Sequence, residues 1–391
     1  MRQGEAIVAT QNDMHWVGTW TTTPAPTEGI ALNNQTLRMI ARISIGGRYL
    51  RVRLSNACGT RKLEIGAARV ALRGDGAGIA PGSDRRLTFN GSPSTTIAVG
   101  ALVVSDPVEL EVPALSDLAV SVHLPGSVPE DLPITGHGNA HQTNYISPPG
   151  EFTGAAVLPV KETTEAFVIV SGVEVLASKD TGGIVAFGDS LTDCNISKLD
   201  ANNRWPDQLA RRLVARKGGR MLGVMNQGIG GNRILHDIRG DSGLRRFDRD
   251  VLAQPGVTHA IVLLGINDIR NRNQKPDEFP TAEQMINGLN QLALRAHTRG
   301  LKIFGGTLLT FEYETFNPGF YTPEGEEKRQ AVNAWIRDSR AFDAVIDFEK
   351  ALRDPGHPTQ MLPIYDCGDH LHPSDRGYLH MGDVIDLSLF D

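Results

Sequence analysis

Ser190 stands in Gly188-Asp189-Ser190-Leu191, directly behind the apolar run Ile184-Val185-Ala186-Phe187. A buried strand ending in a tight turn would hold this hydroxyl beyond the carboxyl end of a parallel sheet, where open α/β folds bind ligands. A serine there acylates if an imidazole takes its proton, a carboxylate orients the imidazole, and donors face the oxygen that becomes negative. The chain supplies candidates in order: Gly230-Gly231-Asn232, then Gly265-Ile266-Asn267-Asp268, then Asp369-His370-Leu371-His372-Pro373. Asp369 and His372 are better placed than Asp369 and His370, because neighbours in an extended loop diverge while a spacing of three across a turn lets acid face ring. Asn267 follows the apolar strand 260–264, so its amide can reach the same sheet edge as Ser190. Each piece also has a plain reading. Gly-Asp-Ser occurs in structural turns, Asn267 can bond its own backbone with Asp268 capping a helix, the glycine pair can be a tight turn, and the histidines can be solvated. Together they gain weight, since each follows a different strand and falls in one crevice.

The elements that must position these residues fall into two stretches. Up to about residue 177 the chain alternates with period two. Ile43 and Ile45, then Leu50, Val52 and Leu54, flank Gly46-Gly47 and predict a hairpin. Val108, Leu110 and Val112 alternate, as do Leu118, Val120, Val122 and Leu124, and 166–175 is a further apolar run. Many short strands between Gly, Pro, Asn and Ser predict an all-β sandwich or jelly-roll over 14–177. A polar joint, Lys179-Asp180-Thr181-Gly182-Gly183, then opens a strand–helix alternation over 180–391. Its helices are read from Leu209 and Leu213, from a stripe of Met285, Ile286, Leu289, Leu292, Ala293 and Ala296, and from Ala331, Val332, Trp335 and Ile336 behind Thr322-Pro323. Strands are expected at 257–264, 301–304 and 344–348, with a closing helix after Ser374. This order means an α/β domain whose parallel sheet is covered on both faces.

Composition sets the outer limits. The 391 residues allow two or three domains with proper cores, and the net charge of −6 offers no basic run for nucleic acid. No apolar stretch approaches the ~20 residues of a membrane span. Residues 1–13 hold one early arginine and no apolar core of a secretory signal, so a cytoplasmic protein is expected as the chain stands, or a secreted one if a signal was removed. Cys58, Cys194 and Cys367 form no disulfide framework. Three reduced thiols are the plain reading. A Cys194–Cys367 bridge is the alternative, because both flank the proposed site. His137 and His141 have zinc-pair spacing, but Gly138 between them opposes the necessary helix, so a loop or strand junction is expected and no metal or cofactor is assigned. Trp205-Pro206 either shapes a pocket or packs in the core. The aromatic loop 310–321, with Phe311, Tyr313, Phe316, Phe320 and Tyr321, either covers the crevice or packs away from it.

The four blocks resemble the SGNH, or GDSL, hydrolases: Gly188-Asp189-Ser190-Leu191-Thr192-Asp193, Asn226-Gln227-Gly228-Ile229-Gly230-Gly231-Asn232, Gly265-Ile266-Asn267-Asp268 and Asp369-His370-Leu371-His372-Pro373. Thr192 stands where a Gly-x-Ser-x-Gly elbow needs its second glycine, which sets the chain apart from α/β-hydrolases proper. The resemblance implies a three-layer αβα flavodoxin-like domain and a serine-dependent carboxylic ester hydrolase. It implies Ser190, Asp369 and His372 as the catalytic set, and Ser190, Gly231 and Asn267 as the oxyanion hole, with Gly230 as the alternative to Gly231. Trp16-Val17-Gly18-Thr19-Trp20, Gln35-Thr36-Leu37-Arg38, 51–56 and Gln142-Thr143-Asn144-Tyr145 resemble the front β-domain of one subgroup, often secreted. Substrates expected by analogy are short acyl or acetyl esters, including those of saccharides; aryl-esterase or lipase-like hydrolysis comes next. A silent glycan-binding protein is the reading of another class, opposed by the complete set of Ser190, Asn267, Asp369 and His372.

Overall fold

The computed structural model describes residues 13–270, 276–315 and 319–391. Residues 1–12, on which the reading of the N-terminus rests, and Phe316 lie outside them. The chain divides into two compact units, one up to Gly183 with Val214–Met225, the other Ile184–Leu213 with Asn226–Asp391.

The first unit is built of antiparallel strands. One sheet contains β1 (Met14–Thr21), β3 (Gly47–Ser55), β5 (Val108–Val112) and β8 (Val170–Ser178), in the order β1-β8-β3-β5. A second contains β2 (Leu32–Arg42), β4 (Ala67–Leu72), β6 (Asp117–Val128) and β7 (Asn144–Pro149), with β6 paired to both β2 and β4 and β7 paired to β2. Leu37, Met39 and Ala41 of β2, Leu50, Val52 and Leu54 of β3, and Leu118, Val120, Val122 and Leu124 of β6 belong to one buried cluster. Period-two alternation therefore did its expected work, sending one face of each strand into a shared apolar interior.

The hairpin expected at Gly46-Gly47 does not form. β2 and β3 lie in different sheets, and residues 43–45 carry the chain from one to the other. Ile43 N–H still donates to Ser116 O at 3.0 Å, while Ser44 N–H already donates to Thr19 O at 2.9 Å. Thr19 Oγ1 then donates to Ile45 O at 2.7 Å. Gly46 is needed for close approach, not for a hairpin turn: a Cβ there would meet Val112 O at 2.3 Å.

Another sheet contains β9 (Gly182–Gly188), β10 (Leu222–Gly228), β11 (Val257–Leu263), β12 (Lys302–Gly306) and β13 (Ala344–Ile346), in the order β10-β9-β11-β12-β13. β12 pairs parallel with β11, Ile261 facing Phe304, and parallel with β13, Phe304 facing Ala344. β9 is buried along its whole length, as its unbroken apolar run requires.

With these strands go α1 (Ser190–Asp193), α2 (Trp205–Ala215), α3 (Ile266–Arg270), α4 (Ala282–Thr298), α5 (Pro323–Asp338) and α6 (Asp375–Asp383), together with other short helical segments. α4 opens on a capping box at Thr281 and Gln284, and α5 on Thr322 with Pro323 in its first turn. Two stripes differ from expectation. Ile286 is only half-buried, and Gly288 takes its place on the inner face of α4. Ala331 is exposed, while Glu326, Arg329 and Asn333 are buried on α5. Arg329 explains this: its guanidinium donates to both Glu326 carboxylate oxygens, at 2.8 and 2.6 Å, and to Leu308 O at 2.9 Å. A buried face can be polar when its partners are built in. Among the described residues no helix is long and apolar enough to cross a membrane.

Candidate active site

Ser190 begins α1 at the end of β9, and its approach leaves no room for a side chain. A Cβ on Gly188 would meet Leu263 O at 2.3 Å and Thr192 Oγ1 at 2.2 Å. Asp189 caps the helix, its Oδ1 accepting from Leu191 N–H at 3.0 Å. The Gly188 carbonyl accepts from Ile229 N–H at 3.2 Å and from Arg246 Nη2 at 2.8 Å. The strand end is thereby fixed before Ser190 is placed.

His372 Nε2 lies 2.9 Å from Ser190 Oγ, a contact between residues 182 positions apart. Its Nδ1 lies 2.6 Å from Asp369 Oδ2. The other oxygen of Asp369 accepts from the N–H groups of Leu371 and His372, at 2.9 and 2.7 Å. Acid and base thus ride on one Asx turn, the local motif that a three-residue spacing permits. Burial opposes the charge on Asp369, but the His372 bond and charge and these two N–H groups outweigh it, holding the carboxyl well below the usual carboxylate range. With Nδ1–H donating to that carboxylate, Nε2 is left as acceptor for the serine proton. His370 goes elsewhere. It has φ +62°, is exposed, and its Nδ1 meets Asp366 Oδ2 at 2.6 Å.

Asn267 is buried in the first turn of α3. Its Nδ2 donates to Asn232 O at 3.0 Å, and its Oδ1 accepts from Arg270 Nη1 at 3.1 Å. That link brings the third block against the second. Gly231 sits at φ +77° in the turn closed by Asn232 N–H donating to Ile229 O at 3.1 Å, so of the glycine pair it is the one whose backbone demands glycine. Gly230 has a different constraint, since a Cβ there would meet Asn195 Nδ2 at 2.8 Å. Asp268 caps no helix. Its carboxylate reaches across to accept from the N–H groups of Ile234 and Leu235, at 2.8 and 3.3 Å.

The charges beneath this surface are held out of water. Burial pushes the Asp189 carboxyl up to about 7 against the pull of Leu191 N–H and Arg270, and its Oδ2 has no partner among the described residues. Burial also lifts Asp268 to about 7 despite its two backbone donors. Arg246, brought down to about 10 by burial, donates to Gly188 O, to Gln227 O at 2.8 Å, to Asn232 Oδ1 at 3.1 Å and to Asp250 Oδ2 at 3.2 Å. One guanidinium therefore gathers the first two blocks. Arg246, Arg270 and Glu314 were not singled out from sequence, and Asp268 was read only as a helix cap. Nothing around them marks them out: Arg246, for one, sits in the charged run Arg245-Arg246-Phe247-Asp248-Arg249-Asp250.

Several expectations are resolved here. The Cys194–Cys367 bridge is absent; both thiols are free. Cys194 turns back on its own helix, 3.2 Å from Thr192 O and 3.6 Å from Leu191 O, and burial pushes its thiol well up. Trp205 is fully buried with its ring 5.5 Å from that of Phe348, so it packs in the core. In the aromatic loop Phe311 is fully buried and pairs with Tyr321 at 5.1 Å, while Tyr313 is exposed. His137 ends a strand and its Nδ1 lies 3.2 Å from Thr23 O. Asp366, Cys367 and Asp369 offer ligand atoms within 4.8 Å of one another. They make a poor cation cage: each acid already holds a histidine, and burial pushes the Cys367 thiol up to about 12.

The arrangement offers a hydroxyl with a base, a base with an orienting acid, and an amide beside a glycine turn. This is the equipment of acyl transfer. A model of the GDSL-like lipase/acylhydrolase family matches residues 186–379. Among solved structures the chain is similar to an acetylxylan esterase from Geobacillus stearothermophilus, at 20% identity over 52% of this chain and 91% of that one, with a TM-score of 0.40. It is also similar to a GDSL-like lipase from Bacteroides thetaiotaomicron, at 16% identity over 53% of this chain and 87% of that one, with a TM-score of 0.40. A comparison with curated proteins gives no match.

Proposed function

Through residues 186–379 the chain belongs to the GDSL-like lipase/acylhydrolase family and is a carboxylic ester hydrolase; from that premise we propose that Ser190 is its nucleophile and that it works through an acyl-enzyme. The observation that carries this reading is the continuous line Ser190 Oγ–His372 Nε2–Nδ1–Asp369 Oδ2, at 2.9 and 2.6 Å.

Ser190 Oγ attacks the ester carbonyl as its proton passes to His372 Nε2, and Asp369 steadies the imidazolium through Nδ1–H. The carbonyl oxygen becomes an oxyanion, met by the backbone N–H groups of Ser190 and Gly231 and by an N–H of Asn267 Nδ2. That nitrogen carries two hydrogens, and one is already given to Asn232 O. As the tetrahedral centre collapses, the C–O bond to the alcohol breaks and His372 returns its proton to the leaving oxygen. Water then attacks the acyl-enzyme by the same route, releasing the acid and restoring Ser190.

We assign short acyl or acetyl esters as substrates, saccharide esters among them. The support is the recess of the reacting groups: Ser190 and His372 are each 4% exposed, so an ester must enter a closed-in site to reach them. We read the second unit as a three-layer αβα flavodoxin-like domain over 180–391, on the strength of its parallel pairs. The first reads as a jelly-roll sandwich over 14–177, from two antiparallel sheets sharing one cluster. The test of the central reading is direct. Ser190→Ala abolishes hydrolysis of p-nitrophenyl acetate, and a fluorophosphonate labels the wild type at Ser190 but not the variant; retained turnover in Ser190→Ala overturns it. Acetylated sugars set against aryl and fatty esters of graded length then test the substrate class.

A further inference from the structure

Arg270 has no part in the mechanism above, yet it touches the oxyanion amide. Its Nη1 donates to Asn267 Oδ1 at 3.1 Å, and its Nε donates to Glu314 Oε2 at 2.7 Å, with a second, shorter bond from Nη2 to the same oxygen. The pair is sealed off, the arginine side chain 6% exposed and the glutamate fully buried. The Phe320 ring lies 5.8 Å from the guanidinium carbon. Glu314 is followed by Thr315, whose N–H donates to Asp369 O at 3.0 Å.

These contacts decide which way the Asn267 amide faces. A guanidinium only donates, so it can bond to no end of the amide but Oδ1. The Asn232 carbonyl only accepts, so it takes no end but Nδ2. Both neighbours enforce the same sense, and a flipped amide would set donor against donor and oxygen against oxygen. The guanidinium charge on Oδ1 also draws electron density through the amide and strengthens Nδ2–H as a donor. Glu314 has its own part: its carboxylate takes the Nε and Nη2 donors and offsets the burial that pushes the guanidinium pKa down.

We propose that Arg270, held by Glu314, is the positioning residue that fixes Asn267 with Nδ2 toward the oxyanion and ties that amide, through Thr315, to the turn carrying Asp369 and His372. This rests on Asn267 serving as an oxyanion donor. A merely structural ion pair would predict loss of stability with unaltered kinetics. Positioning predicts loss confined to the transition state.

The experiment is a kinetic cycle on the full chain with p-nitrophenyl acetate. Arg270→Met combined with Glu314→Leu removes both charges at once, so no bare ion is left buried. It is expected to lower kcat by about 30-fold, with KM within about twofold, because the amide is then free to turn. Added to Asn267→Ala, the same pair of changes is expected to slow turnover no further. Arg270→Lys, which can serve one partner but not both, should fall between wild type and the paired variant. A wild-type kcat in the folded paired variant, or a loss that multiplies with that of Asn267→Ala, overturns the proposal. Should the paired variant not fold, Arg270→Lys alone decides: a kcat within twofold of wild type overturns it, and a larger loss at unchanged KM supports it. Fluorophosphonate labelling of wild-type Ser190 separates the two readings. If labelling succeeds and the cycle is additive, only the role of Arg270 falls; if Ser190 is not labelled, the reading of the site falls first.

Discussion

Arg38 in the first unit and Arg270 in the second are both buried arginines, the one within a sequence motif and the other two residues beyond one, and they are used in opposite ways. Arg38 spends its donors on neutral groups: Ser121 Oγ at 2.8 Å and the carbonyls of Ala77, Ala155 and Thr153 at 2.5, 2.9 and 3.3 Å. Asn144 behaves likewise, accepting from Ile40 N–H at 2.7 Å and donating to Ala166 O at 3.1 Å. Asn56 gives Nδ2 to the carbonyls of Arg61, Ile97 and Ala98. In the first unit, these three motif residues stitch loops to strands. In the second, side chains bond to one another, Ser190 to His372 to Asp369 and Asn267 to Arg270 to Glu314. A buried polar residue satisfied by backbone reports architecture; a chain of side chains that can pass or steer a proton reports chemistry.

This contrast can be broken by substitution. After Ser190→Ala, the largest effect is expected at Asn267→Ala, which should cost on the order of 10²–10³ in kcat and, by leaving Asn232 O and an Arg270 N–H unpaired, about 1–2 kcal/mol of stability. Arg38→Met should cost stability alone. It strands three buried carbonyls and a hydroxyl, costing roughly 3 kcal/mol of stability in a urea titration, with kcat on p-nitrophenyl acetate unchanged. If Arg38→Met instead lowers kcat in folded protein, the division between staple and site fails.

The smallest effect concerns Asp189 and pH. Burial pushes its folded carboxyl up to about 7, against ~3.9 for an unfolded aspartate. Between about pH 4 and 7 the folded chain therefore holds a proton that the unfolded chain releases, so this contribution to stability falls as pH rises through that window and levels off above it. Melting temperatures from pH 5 to 8 should decline, and Asp189→Asn should make the decline shallower by about 2–4 °C. Asp268, also near about 7, keeps part of the slope in the variant. An unchanged slope would mean that Asp189 is ionised in the fold.

What could be read from the sequence follows the range of the interactions. Asp369 and His372 are three residues apart, and Thr322 caps a helix beginning at the next residue, so local geometry carries both. The strand ending at Gly188 was legible because β9 is apolar throughout. The fate of Gly46-Gly47 was not, since a turn between alternating runs looks the same whether the chain folds back or crosses to another sheet. Ile286 and Ala331 misled because periodicity measures apolarity, and the positions they yielded were taken by a glycine and by arginine-centred pairs. Arg270 and Glu314 are 44 residues apart, and nothing in composition links them.

The turn bearing Asp369 has one more implication. Asp366 accepts from the N–H groups of Gly368 and His370, Cys367 N–H donates to His372 O, and Ser374 N–H to Tyr365 O. The acid and its imidazole are thus braced within a single short peptide loop, and the serine arrives from another strand altogether. Gentle heating or mild denaturant should silence the enzyme by parting two intact pieces, so that cooling restores turnover as soon as they meet again, with no slow rebuilding of the base.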